Sequence, residues 1–177
     1  MRISGGSLRG RRIAVPDGII RPAMDRMRES IFAVLGDLSN RSFLDLFSGS
    51  GIIALEAASR GSVSVTAVEQ DPVKRKTLIA NVSMSPVRIE CRFIAVELFV
   101  KRAKQSFDII FCDPPFPYRF KKELIISIAA SDLVHDGSLI LLHRPREDIL
   151  GEMPVSLCLK ESKEYGRSIV DFFVYTA

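Results

Sequence analysis

The feature that most limits the fold is an alternation of short apolar runs with helix-length segments between residues 42 and 143. Ser42–Phe47, Val63–Val68, Cys91–Val96, Phe107–Cys112 and Ser138–His143 read as strands. Gly51–Arg60 (closed by Gly61), Pro72–Val82 (opening on proline) and Phe120–Ala130 read as helices between them. Apolar strands separated by helices imply an α/β protein with a doubly wound parallel sheet. The C-terminal part departs from this rhythm. Leu157–Lys163 and Ser168–Tyr175 are joined by only Glu164–Arg167, too short for a crossover, so an antiparallel hairpin is expected on one sheet edge.

Ahead of the alternation lies a basic leader. Residues 1–28 carry seven arginines against Asp17 and Asp25, a balance of +5 in a chain of net charge +4, so the remainder is at −1. Arg2–Ser4 and Arg12–Val15, linked through Gly5, Gly6 and Gly10, suggest a short β-hairpin. Asp25 is placed to cap a helix whose buried face would be Met27, Ile31, Val34 and Leu35, with Gly36 ending it. Residues 1–24 are accordingly read as a nucleic-acid-contacting extension and residues 25–177 as the main domain. Arg2, Arg9, Arg11, Arg12, Arg21, Arg26 and Arg28 are its candidate RNA contacts, because guanidinium forks suit phosphates and base edges. Arg21, Arg26 and Arg28 have acidic neighbours and are also placed for helix-surface ion pairs.

Composition narrows the setting. At 47% apolar and 26% charged residues, the chain suits one globular core. No apolar run approaches the roughly 18 residues of a membrane span. Met1–Gly6 lacks a signal-type apolar stretch, and Cys91, Cys112 and Cys158 are odd in number and scattered. A cytoplasmic monomer without membrane or disulfides is expected, and His135 and His143 lack the spacing of a metal pair.

Two loops carry the chemistry. Asp45-Leu46-Phe47-Ser48-Gly49-Ser50-Gly51 leaves a strand and enters a helix, where glycines allow close approach and free amides face a ligand. Glu69 ends the next strand, where a carboxylate accepts from both hydroxyls of a ribose. Gly49-x-Gly51-x-x-Ala54 also satisfies a dinucleotide fingerprint, so a nicotinamide oxidoreductase is a rival from another class. Asp45 favours the cationic amino-acid end of S-adenosylmethionine, since a carboxylate there would repel a pyrophosphate. The second loop is Asp113-Pro114-Pro115-Phe116, after the fourth strand. A base amine is a poor nucleophile because its lone pair is delocalised into the ring. The Asp113 carboxylate and the Pro114 carbonyl, both aimed at its hydrogens, would draw it toward tetrahedral geometry and stabilise the developing positive charge. Prolines 114 and 115 stiffen the loop, and Phe116 offers a stacking face.

These residues, with Leu55-Glu56-Ala57-Ala58-Ser59-Arg60-Gly61, Asn81, Arg9-Gly10-Arg11, Arg21-Pro22, Asp25-Arg26-x-Arg28-Glu29 and Tyr165-Gly166, resemble the RsmD-type rRNA guanine-N2 methyltransferases over essentially the whole chain. The resemblance implies a class I S-adenosylmethionine-dependent fold, Rossmann-like, with a seven-stranded, mostly parallel sheet. It also implies a 16S rRNA substrate within assembled or partly assembled small ribosomal subunits. Asp113, Pro114, Pro115 and Phe116 form the expected catalytic set. Asp45, Phe47, Ser48, Gly49, Ser50, Gly51, Glu69, Gln70 and Asp113 form the expected cofactor set. Two departures stand out: the family's adenine-contacting acid falls near Ala95-Val96, so Val96 would contribute through backbone, and its Glu after the fifth strand is replaced by His143. An adenine-N6 methyltransferase uses the same second loop. A protein glutamine methyltransferase would show Asn in place of Asp113, and an RNA-binding module without catalysis is the remaining alternative.

Overall fold

The computed structural model describes residues 1–15 and 22–177, so Arg21 and the turn at 16–18 lie outside the described residues. The elements are α1 (Pro22–Leu35), β1 (Ser42–Leu46), α2 (Ile52–Ser59), β2 (Ser64–Val68), α3 (Arg75–Val82), β3 (Ile89–Arg92), α4 (Val96–Arg102), β4 (Ile109–Cys112), α5 (Lys121–Ala129), β5 (Leu139–Pro145), β6 (Leu157–Tyr165) and β7 (Ser168–Tyr175).

All seven strands join one sheet in the order β3-β2-β1-β4-β5-β7-β6. The first five pair in parallel, and β7 runs antiparallel to both β5 and β6. The expected class I sheet and terminal hairpin are therefore present. Alternate residues of each central strand enter opposite layers, as strand geometry requires. Phe43, Ile109 and Phe111 pack with α1, α2 and α3, while Leu44, Leu46, Ile110 and Cys112 pack with α4 and α5. The chain turns back on itself between β1 and β4. At such a switch point the connections diverge to opposite faces and leave a crevice beyond the carboxyl ends of the strands.

Several local expectations change. The run 91–96 divides: β3 ends at Arg92, and Val96–Arg102 is helix α4. Its buried Val96 and Val100 recur at i, i+4, Glu97 lies in its first turn and Lys101 and Arg102 in its last, an arrangement that complements the helix dipole. Helix α1 begins at Pro22, so Asp25 sits inside its first turn and is not the cap. On α1, Met27 and Ile31 are buried as expected, but Phe32 is fully buried as well and Val34 is 44% exposed. The leader forms one antiparallel bridge, Arg2 with Arg12, around a 3-10 turn at Gly6–Leu8, instead of a two-stranded hairpin. It lies against α2, with Ile3, Leu8 and Ile13 buried in the same cluster as Phe43. Gly6 is required there: at φ 74° a Cβ would stand 1.9 Å from the Ser59 carbonyl oxygen.

Candidate active site

Three carboxylates come together because β2, β1 and β4 are neighbours in the sheet and each brings one to its carboxyl end. Asp45 is in β1, Glu69 follows β2, and Asp113 follows β4. A crevice of about 1070 Å³ opens there, walled by Phe47, Glu69, Gln70, Asp113, Pro114, Pro115 and Phe116 from the expected set. Met27, His143 and the β6–β7 turn at Gly166-Arg167 close its far side.

Glu69 is 4% exposed and organises the first loop. Its Oε2 accepts from Gly49 N at 2.8 Å and its Oε1 from Asp71 N at 2.9 Å. Each oxygen keeps a lone pair for a further donor, as two ribose hydroxyls would need. Phe47 adopts φ 65°, a left-handed conformation that a bulky residue rarely takes, and it turns the chain from β1 toward α2. Gly51, at φ 81°, passes so close to α3 that a Cβ would lie 2.6 Å from Leu78 Cδ1. Ser50 is held from behind: its carbonyl accepts from Asn81 Nδ2 at 2.8 Å. The same amide group exchanges hydrogen bonds with Ala14, so Asn81 ties the leader to the glycine loop.

Asp45 is placed differently from the sequence expectation. It is 1% exposed and lies beneath the loop, its Oδ2 accepting from Ser48 Oγ at 2.6 Å and Ala54 N at 3.2 Å. Burial pushes its carboxyl up to about 7; the charges of Asp113 and Glu69 add to the rise, and the bonds from Ser48 and Ala54 oppose it. Its charge near neutrality is therefore partial, not permanent. Its Oδ1 is buried with no hydrogen-bond partner among the described residues. An orphaned acceptor of this kind, in a nest of acidic groups, suits a cationic ligand. Val96, expected to contribute through its backbone, opens α4 and is 1% exposed as a whole residue, packed in the core and not among the residues that wall the crevice.

Asp113 is seated by two contacts, its N–H to the Leu46 carbonyl at 3.3 Å and its Oδ1 with His143 Nδ1 at 2.7 Å. With the carboxylate ionised, Nδ1 is the donor. His143 lies within β5, and the histidine thus grips the carboxylate where a glutamate would repel it. The Phe116 ring meets the imidazole edge-on, with centroids 5.6 Å apart. Pro114 is buried and Pro115 exposed.

The leader arginines divide. Arg2, Arg9, Arg11, Arg12 and Arg26 are exposed. Arg2, Arg9 and Arg12 border a second hollow, of about 660 Å³. Arg28 is withdrawn from the RNA-facing set: it is 2% exposed, and its guanidinium is committed to Glu56, Asp25 and the Arg2 carbonyl. Arg60 pairs with Glu56, bonds to Ser4 Oγ and stands 5.2 Å from the Phe32 ring centre. Lys121 is 3% exposed. Sequence reasoning also missed Glu56, wholly buried on α2. A lone acid among Ile52, Ile53, Ala54, Leu55, Ala57 and Ala58 was the available signal, since a buried charge demands a partner.

Known proteins place this geometry in context. A family model described as conserved hypothetical protein 95 matches residues 1–174. Over 171 residues the chain is 32% identical to the ribosomal RNA small subunit methyltransferase D of Escherichia coli (strain K12), covering 94% of this chain and 86% of that protein. The solved structure of Escherichia coli yhhF superposes with a TM-score of 0.88 at 29% identity, covering 100% of this chain and 98% of that one. A shorter match, 39% identical over 85 residues, links 45% of this chain to 36% of the tRNA1(Val) (adenine(37)-N6)-methyltransferase of Actinobacillus succinogenes.

Proposed function

The chain belongs to the RsmD family of methyltransferases, and on that premise we propose that it methylates the exocyclic N2 amine of a guanine in 16S rRNA of the small ribosomal subunit. S-adenosylmethionine is the donor, supplying an electrophilic sulfonium methyl when bound. The observation that carries the reading is the shared crevice of Glu69 and Asp113.

The residues fit that cofactor better than a dinucleotide. Glu69, Asp71, Asp113 and Glu147 line the crevice against Lys74 and Arg167, an acidic balance that attracts a sulfonium and an ammonium and repels a pyrophosphate. Glu69 would bind the ribose hydroxyls through its remaining lone pairs, and Asp45 would stabilise the amino-acid end from beneath the loop. Asp113, held by His143, and the Pro114 carbonyl would accept from the two amine hydrogens, freeing the nitrogen lone pair for attack and stabilising the charge that develops on it. Phe116 would stack on the base. The exposed Arg2, Arg9, Arg11, Arg12 and Arg26 would bind RNA phosphates, with residues 1–24 as the RNA-contacting extension. Dependence on an assembled or partly assembled particle is consistent with the small surface of a one-domain enzyme.

Adenine-N6 methylation is the second reading, favoured by the partial similarity to a tRNA adenine methyltransferase. Small subunits lacking the modification, incubated with the protein and methyl-labelled S-adenosylmethionine and digested to nucleosides, separate the two. N2-methylguanosine is expected; N6-methyladenosine would install the alternative, and unlabelled rRNA would refute both.

A further inference from the structure

Lys121 opens α5, just beyond the Asp113–Phe116 loop, and its side chain is 4% exposed. Its ammonium spends all three donors: on the Phe116 carbonyl at 3.0 Å, on the Tyr118 carbonyl, and on Asp148 Oδ2 at 2.7 Å. The two carbonyls lie in the irregular stretch between β4 and α5, where no ladder partners exist to satisfy them. Asp148 belongs to the loop after β5, and that loop is anchored in turn. The Asp148 carbonyl accepts from Arg144 Nη1 at 2.6 Å, Arg144 Nε bonds to Asp171, and Asp171 Oδ1 accepts from Ser162 Oγ at 2.6 Å. Asp171 is 1% exposed, in the middle of β7. An unbroken polar chain thus runs from the C-terminal hairpin to the loop that faces the crevice.

A buried ammonium is costly unless every donor is paired, and an apolar side chain would fill the same space at no electrostatic cost. What the lysine adds is direction: it pins two carbonyls of the loop, those of Phe116 and Tyr118, to a second, independently anchored loop. We propose that Lys121 is a positioning residue for methyl transfer, and that the Asp148–Arg144–Asp171 chain is its anchor. It holds the turn after Pro115 so that the Asp113 carboxylate, the Pro114 carbonyl and the Phe116 face are set before the base arrives. Such presetting matters because misplacement of a reacting group by about 1 Å can cost on the order of 100-fold in rate. The catalytic half of this inference rests on the reading that the loop receives the base amine; the mechanical half does not.

The test uses Lys121→Met, which keeps the length of the side chain and removes its donors, and Asp148→Asn, which keeps the anchor and weakens the ion pair. Three quantities are measured in each: the single-turnover rate of methyl transfer to unmodified small subunits at saturating donor, the Kd for S-adenosylmethionine, and amide hydrogen exchange over residues 113–120 and 47–55. Lys121→Met should slow transfer roughly 10- to 100-fold, with the donor Kd changed less than about threefold. Exchange should accelerate at 113–120 and stay unchanged at 47–55. Asp148→Asn should move the same quantities in the same direction by less, and the double variant should be no slower than Lys121→Met, because both remove one interaction. Unchanged exchange at 113–120 with an unchanged rate overturns the proposal, as does a uniform rise in exchange with equal losses of rate and donor affinity. If Lys121→Met does not fold, Asp148→Asn decides by the same criteria. If the wild-type protein transfers nothing to guanine, the proposed substrate fails, while exchange at 113–120 still judges the clamp.

Discussion

Two buried carboxylates, eleven residues apart in the chain, sit in opposite electrostatic settings. Glu56, 0% exposed, meets the Arg28 guanidinium at 2.9 Å, Arg60 Nε at 3.2 Å and the Ser4 amide. Asp45, 1% exposed, has among the described residues a hydroxyl and an amide on one oxygen, no hydrogen-bond partner on the other, and the charges of Asp113 and Glu69 nearby. At the leader seam every charge is matched, and the result is a fastener. At the crevice three acids are gathered and one oxygen of Asp45 is left without a hydrogen-bond partner among the described residues, which a fold tolerates where a cationic ligand will relieve it. Both groups are buried acids; what separates a structural one from a functional one is whether the protein itself supplies the counter-charge.

The strongest way to break that comparison is at the crevice. Asp113→Ala should lower single-turnover methyl transfer by roughly 1000-fold or more while leaving donor affinity within a few fold, because an acceptor aimed at the reacting amine acts mainly in the transition state. Glu69→Ala should do the reverse, weakening donor binding about 10- to 100-fold in calorimetry. Asp113→Ala retaining near wild-type rate would remove that residue from the chemistry. At the seam, Glu56→Ala leaves the buried Arg28 with the partly exposed Asp25 and the Arg2 carbonyl and should destabilise the protein by about 3–5 kcal/mol in urea titration. A loss below about 1 kcal/mol would mean that the two buried acids are not different in kind.

Asp45 sharpens the comparison through pH. Its folded value of about 7 lies above the usual 3.8, so between these the folded chain retains a proton that the unfolded chain has released. The stability contributed by this group is complete in acid and is lost as pH rises through 7. Asp45→Asn should therefore flatten that decline and be more stable than wild type above pH 7. Equal pH slopes in urea titrations of the two proteins between pH 5 and 8 would contradict the burial argument. The smallest effect belongs to the leader. Replacing Arg9, Arg11 and Arg12 with alanine should reduce the slope of log affinity for rRNA against log salt by about 2–3. An unchanged slope would reduce these arginines to solvated surface.

Much of the fold was legible in local pattern. Four of the parallel strands and the terminal hairpin follow from apolar runs and connection lengths, quantities that depend on chain neighbours alone, while the third strand lies at Ile89–Arg92 and overlaps its expected run 91–96 at two residues. Helix α4 was not, because Val96–Arg102 is short and its valines and phenylalanine read equally well as strand until burial at i, i+4 is seen. Two parts of the site were also legible: Glu69 and Asp113 end apolar runs, and the ends of parallel strands share one edge of the sheet.

By itself, then, the sequence determined the parallel alternation, the glycine and proline loops and the acids beside them, because turn chemistry and periodicity are local. Only the tertiary structure decided the fate of individual charges. It folded Arg28, Arg60 and Lys121 inward, left Arg9, Arg11 and Arg12 in solvent, and put Asp45 beneath its loop instead of in the crevice wall. The physical reason is that the desolvation of a charge and the partners that offset it are set by residues as distant as Arg2 from Arg28 or Lys121 from Asp148, and no local pattern carries that information.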